Sequence, residues 1–211
     1  LTTGAITTSV EQINFSGLAT KVTLGAITDA TLTTINASGL SAGGVAVTLL
    51  AGVTSLTGGE GNDTVTTATL TTTTAGEING GNGTDTLIVA AAANVATAAL
   101  RGAYTGFEVL NNNTSSNIAA SGFTGVTSLI TSAAGGGFTG MTASQAANIT
   151  ATADLVATAI TYSLTTDTGT SDVLGLELKS STATTELDAT ALTVSGFETV
   201  NLKVSSGGTS L

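Results

Sequence analysis

Two glycine–aspartate runs carry the residues of this chain best suited to chemistry. Residues 58–66 read G-G-E-G-N-D-T-V-T, and residues 80–88 read G-G-N-G-T-D-T-L-I, 22 positions later. Both fit G-G-x-G-x-D-x-U-x, with U a bulky apolar residue, the nonapeptide that binds calcium in the turns of parallel β-helices. Glycine lets the backbone take positive φ and aim its carbonyls at one point. Ca²⁺ takes about six to eight hard oxygen ligands, from carbonyls and carboxylates. The candidate ligands are the carbonyls of Gly58, Glu60, Gly80 and Asn82 and the carboxylates of Asp63 and Asp85. Val65 and Leu87 then point inward and begin short strands. The competing reading is two glycine-rich hairpin turns that bind nothing.

Further acidic positions sit beside glycine turns. G-F-E occurs at 106–108 and 196–198, so Glu108 and Glu198 each precede a strand, where they reach a cation or stand as solvated edge charges. D-T-G-T-S-D-V-L at 167–174 puts Asp167 and Asp172 around Gly169. It reads as a second calcium turn or as a plain one. Asp29 and Asp188 are isolated, and each reads as a solvated surface charge.

Composition removes other chemistries. The chain has no Cys and no His. That excludes the usual zinc, haem and iron–sulfur sites, Cys nucleophiles and His-dependent triads. Four basic residues (Lys21, Arg101, Lys179, Lys203) against a net charge of −10 leave no basic cluster for nucleic acid or anionic membranes. Paired carboxylates can hydrolyse glycosides, but there is no Trp and only two Tyr to build a sugar platform. We therefore expect no enzyme. The T-x-T triplets do not repeat at one period, which argues against an ice-binding face. No apolar run reaches the roughly 18 residues of a membrane span. The chain opens at Leu1 without an initiator Met or a recognisable signal peptide, and we read it as a fragment or processed product of a larger secreted protein.

The elements that must position these residues are short strands. I-N-x-S-G-L occurs at 13–18 and 35–40, the same 22-residue interval as the glycine runs. G-V-T-S-L recurs at 52–56 and 125–129, and G-F-E-V-L-N at 106–111 returns as G-F-E-T-V-N-L at 196–202. Periods near about 20 residues mean stacked repeats. Thr makes up about a fifth of the chain and aromatics 3%, which suits thin, β-rich coils. The expected fold is all-β: a right-handed parallel β-helix or β-roll solenoid with calcium-binding turns, one unit over 1–211. Helix is expected at 91–101 and 142–149. Gly135-Gly136-Gly137 reads as an ordinary flexible loop.

The ordered motifs resemble the repeats-in-toxin part of bacterial surface-layer proteins, of the Caulobacter type, from about residue 50 to 202. The resemblance implies export unfolded by type I secretion, folding outside the cell on binding calcium, and self-assembly with lattice neighbours in a surface layer. It also implies attachment through lipopolysaccharide by a separate part of the parent protein. The same repeats occur in type I-secreted adhesins and exoproteins, the alternative reading.

Overall fold

The computed structural model describes residues 1–7, 9–71, 74–155, 160–180, 187–189 and 192–206. The chain is all-β, and its parallel sheets form a β-solenoid. Its contacts divide it into two compact units: Leu1–Val109 with Phe123–Gly125, and Leu110–Gly122 with Val126–Leu211.

In the first unit one parallel sheet takes β1 (Gln12–Gly17), β3 (Thr34–Leu40), β5 (Ser55–Thr57), β7 (Ile78–Asn79) and β9 (Tyr104–Thr105) in that order. The other takes β2 (Lys21–Thr23), β4 (Gly44–Thr48), β6 (Thr64–Thr66) and β8 (Thr86–Val89). The chain visits the two sheets alternately, so each coil lays one strand in each. Thr64 faces Thr86 and Val65 faces Leu87, so the 22-residue interval is one coil. Side chains alternate along a strand, and every second residue enters a thin core. Ile35, Leu56, Ile78 and Tyr104 form one buried file, and Val47, Val65 and Leu87 another.

The I-N-x-S-G-L repeat stacks for only part of its length. Ile13 faces Ile35 and Asn14 faces Asn36, but Ser16 faces Gly39. Asn36 Oδ1 accepts from Ser38 N at 3.0 Å and Ser38 Oγ at 2.7 Å, an Asx turn that takes up the extra residue. Asn14 Oδ1 instead accepts from Gln12 Nε2 at 2.7 Å.

In the second unit β10 (Val109–Asn112), β12 (Ser128–Thr131), β14 (Ile149–Ala151), β16 (Val173–Ser180) and β18 (Thr199–Ser206) make one sheet. The other comprises β11 (Ile118–Ala119), β13 (Phe138–Met141), β15 (Ile160–Leu164) and β17 (Leu192–Ser195). The G-V-T-S-L phrase runs into β5 in its first copy and β12 in its second. It marks a turn into a strand rather than one position in the coil.

Three local expectations need correction. The segment 91–101 is not one helix: a 3-10 turn, Ala92–Val95, gives way to α1 (Ala98–Gly102). Thr97 separates them because its hydroxyl accepts from Leu100 N and caps α1. The second helix, α2 (Ala143–Ala146), is a single turn with a Thr142–Gln145 capping box, and Ile149 already starts β14. Gly135, Gly136 and Gly137 are buried. Asn117 Oδ1 accepts from both Gly137 N and Thr161 N at 3.0 Å, tying this segment to the next coil.

Glycine is obligatory where coils touch. A Cβ on Gly58 would overlap the Gly80 carbonyl oxygen, whereas one on Gly102 meets nothing within 4 Å. Gly58→Ala should lower stability by about 2 kcal/mol or more. Gly102→Ala, at the end of α1, should be neutral or stabilise by up to about 1 kcal/mol. Urea unfolding of both variants checks the pair; equal losses would contradict this packing.

Candidate cation sites

A strand start leaves a backbone N–H at the corner of each coil, where the sheet ladder does not reach it. At five such corners a carboxylate from the following coil accepts it. Asp63 Oδ1 accepts from Val45 N. Asp85 Oδ1 accepts from Asp63 N at 2.7 Å, and Glu108 Oε2 from Asp85 N at 2.8 Å. Four coils are thus tied by three carboxylates. Asp29 does the same earlier, taking Val10 N at 2.5 Å through Oδ2, while its Oδ1 takes Thr31 N and Thr31 Oγ1. Glu198 does it in the second unit, taking Asp172 N at 2.7 Å.

Asp63 and Asp85 are 1% and 0% exposed, beneath the glycine runs. The bare Cα atoms make room: a Cβ on Gly58 would lie 2.7 Å from Asp63 Oδ2, and one on Gly80 2.7 Å from Asp85 Oδ2. The two runs differ in one hydrogen bond. Gly59 N donates to Asp63 Oδ2 at 3.0 Å. Gly81, at φ 102°, turns its N–H to Asn79 Oδ1 at 3.0 Å instead. Asp85 Oδ2 is left buried with no hydrogen-bond partner.

Such an oxygen favours the neutral acid. Burial, with the negative charges of Asp63 and Glu108 nearby, pushes the Asp85 carboxyl up to about 7, against the donated Asp63 N–H. Burial also raises Asp63, while the Val45 and Gly59 N–H groups oppose the shift. Asp29 moves the other way: the N–H of Val10, then the hydroxyl and N–H of Thr31, hold it below its ordinary value.

The two G-F-E motifs make one arrangement, once in each unit. Glu108 N and Val109 N donate to Asp85 O at 3.2 and 3.0 Å. Glu198 N and Thr199 N donate to Asp172 O at 3.0 and 3.1 Å. Asp172 Oδ2, like Asp85 Oδ2, is a buried oxygen with no hydrogen-bond partner. The glycines have positive φ, 67° at Gly106 and 83° at Gly196. A side chain of the preceding coil stands against each: Asn79 at Gly106, and Asp167 at Gly196, where its Cγ is 3.2 Å from a Cβ position. In the second unit this brings Asp167, Asp172 and Glu198 together, each with an oxygen within 4.8 Å of the others. Asp167 and Glu198 are exposed and Asp172 is half-buried, so water screens part of their repulsion and a bound cation would offset the rest.

The sequence-derived ligands therefore sort into separate places. Asp167 and Asp172 come from one turn and Glu198 from another motif, and folding joins them. Asp85 and Glu108 are joined through the Asp85 N–H. Glu60 and Asn82 are exposed, and Asn82 Nδ2 donates to Glu60 Oε2 at 2.9 Å. With Gly58, Gly59, Asn79 and Gly81 they line an open hollow of about 250 Å³ whose lining does not include Asp63 or Asp85. Asp188 is exposed, as expected. Asp29 is not a solvated charge: it is 5% exposed and fully engaged by Val10 and Thr31. Asn79 was missed, although its signal is legible: Ile-Asn recurs at 13–14, 35–36 and 78–79, and Asn36 and Asn79 each accept from the N–H two residues on.

No family model, curated protein or solved structure matches the chain.

The buried acid makes a pH prediction. Below its ordinary value of 3.8, Asp85 is neutral in both folded and unfolded chains. Between there and about 7 only the unfolded chain ionises, so the cation-free protein loses stability as pH rises, then levels off. Asp29 acts oppositely, losing its contribution only as pH falls below 3.8. In EDTA, melting temperature should decline between about pH 4.5 and 7.5, and Asp85→Asn should flatten that decline. A wild-type profile as flat as the variant's would contradict the burial.

Proposed function

We propose that this chain is a structural, calcium-binding module of a bacterial surface-layer protein, one part of a self-assembling cell-surface lattice. The observation that carries the cation reading is the repeated Asp–Glu corner. In each unit a buried carboxylate oxygen lacks a partner, and in the second three carboxylates converge within 4.8 Å. Calcium fits this donor set: hard oxygens, high negative charge and no nitrogen or sulfur ligand. Asp167, Asp172 and Glu198 hold one ion, and the unpartnered Asp85 Oδ2 is the candidate ligand in the first unit. Calcium is here a fold cofactor, because the ligands meet only when successive coils have stacked. The surface-layer part of the reading rests on the motif resemblance, as do export by type I secretion, an extracellular location and attachment to lipopolysaccharide through the parent protein. A non-enzymatic role accords with the lack of Cys and His.

A ligand that binds only the folded chain stabilises it by about 2.7 kcal/mol at a hundred times its Kd. Melting followed by circular dichroism should show a clear rise in Tm when Ca²⁺ replaces EDTA. Asp172→Asn and Glu198→Gln should each reduce that rise, and Asp85→Asn should reduce it independently. An unchanged Tm in the wild type refutes calcium as the fold cofactor. Electron microscopy of the parent protein with Ca²⁺ should show ordered sheets. A secreted adhesin would instead bind a surface or glycan without forming them.

A further inference from the structure

Asn-Gly occurs twice in the chain, at 79–80 and 82–83. An asparagine before glycine is open to loss of its side-chain amide. The next backbone nitrogen can attack Cγ, and glycine has no Cβ to hinder the approach. The fold treats the two asparagines differently. Asn79 lies in β7, facing Thr57 and Thr105 in the ladder. Its attacking nitrogen, Gly80 N, is engaged: it donates to Thr105 O at 2.9 Å, and Gly80 is buried. Asn79 Oδ1 is committed to the nitrogen two residues on, Gly81 N, at 3.0 Å. Asn82 lies outside any strand, and Gly81, Asn82, Gly83 and Thr84 are all exposed to water. Among the described residues Gly83 N donates to no acceptor. Asn82 is tied through its amide nitrogen, from Nδ2 to Glu60 Oε2 at 2.9 Å. A Cβ on Gly83, at φ 123°, would lie 2.9 Å from Gly61 C and O. Coil spacing therefore requires the glycine that leaves Asn82 open to attack.

We propose that Asn82 is a site of self-modification: in the folded chain it deamidates through a succinimide, while Asn79 keeps its amide. Gly83 N gives its proton to water and bonds to Asn82 Cγ, and Nδ2 leaves as ammonia. Water then opens the ring. Cleavage of the bond from Gly83 N to Cγ leaves aspartate. Cleavage of its bond to the main-chain carbonyl carbon leaves isoaspartate. One water enters, one ammonia leaves and nothing is oxidised or reduced. Asn82 holds the place in its nonapeptide that Glu60 holds in the first. The aspartate product therefore replaces the Asn82–Glu60 hydrogen bond with two carboxylates one coil apart, which repel. The isoaspartate product adds a carbon to the backbone where Gly83 already packs against Gly61. Either product loosens this pair of coils as the protein ages, and neither step involves calcium or a lattice.

The test is to age the folded chain in EDTA at mildly alkaline pH and digest it. Mass spectrometry then locates the exchange of NH₂ for OH from fragment ions that separate residue 79 from residue 82. Asn82 should convert about tenfold faster than Asn79 or more, the factor that one hydrogen bond on the attacking nitrogen supplies. In urea, where that bond is gone, the two rates should converge. Asn82→Asp, which makes the aspartate product directly, should melt below the wild type in EDTA. The proposal is overturned if Asn82 keeps its amide in the folded chain, or if Asn79 there keeps pace with it. A rate difference that persists in urea also overturns it, because the difference then comes from local sequence. An Asn82→Asp variant that melts with the wild type removes the loosening.

Discussion

The spacing of stacked coils governs this structure. Parallel strands lie about 4.8 Å apart, so each coil can be no thicker than one backbone. Between neighbouring strands of a sheet the ladder pairs N–H with C=O. At a corner the chain leaves one sheet for the other, and the ladder ends while the spacing constraint remains. Backbones there must nearly touch, which leaves no room for a Cβ at Gly58, Gly80 or Gly137. The N–H at the strand start also needs an acceptor, since a buried donor left unpaired is costly. Asp29, Asp63, Asp85, Glu108 and Glu198 supply that acceptor.

At Asp29, Asp63 and Asp85 the same device draws negative charge into the interior. A carboxylate that caps one coil is stacked above the carboxylate that caps the next, and burial removes the water that would screen them. Where a second N–H is at hand, as Gly59 is for Asp63, hydrogen bonds offset part of the cost. Where it is not, as at Asp85 and Asp172, a bare oxygen remains. The carboxylates that cap the coils are therefore also those of the proposed cation sites. The corners at Gly106 and Gly196 are alike in backbone but differ in charge, because Asn79 stands at one and Asp167 at the other. Charge count sets calcium affinity, so the second corner is the stronger candidate of the two.

The apolar side is equally constrained. A thin core takes one inward residue at every second position, and Val, Leu and Ile fill most of it. The few aromatics are used inside: Tyr104, Phe107, Phe138 and Tyr162 are all at most 1% exposed. Phe138 and Tyr162 stack at 6.4 Å, and the Tyr162 hydroxyl meets Thr131 Oγ1 at 2.9 Å, so its polar tip is satisfied without water. Burial of Tyr162 pushes its phenol up to about 12. The final coil lacks a described neighbour on its outer side, which leaves Leu202 and Val204 in the open.

Sequence alone determined the class of fold and the length of a coil. Glycine runs and I-N phrases at one interval report stacking directly, because residues one coil apart occupy equal environments. It also identified Asp63, Asp85, Asp172, Glu108 and Glu198 as residues at turns before strands. Tertiary structure decided what each of them touches. Asp167 and Asp172 lie in one turn, but Glu198 joins them only because β18 pairs with β16, a contact between segments no local pattern links. Asp29 looked solvated because no glycine flanks it; its partner, Val10, lies 19 residues away. The long Ala-rich segment looked helical, and Thr97 ended that reading by capping a new start. Local propensity fixes periods and turns, which depend on neighbours in the chain. Burial, orphaned oxygens and clustered charge depend on the coil above and the coil below, and those exist only after folding.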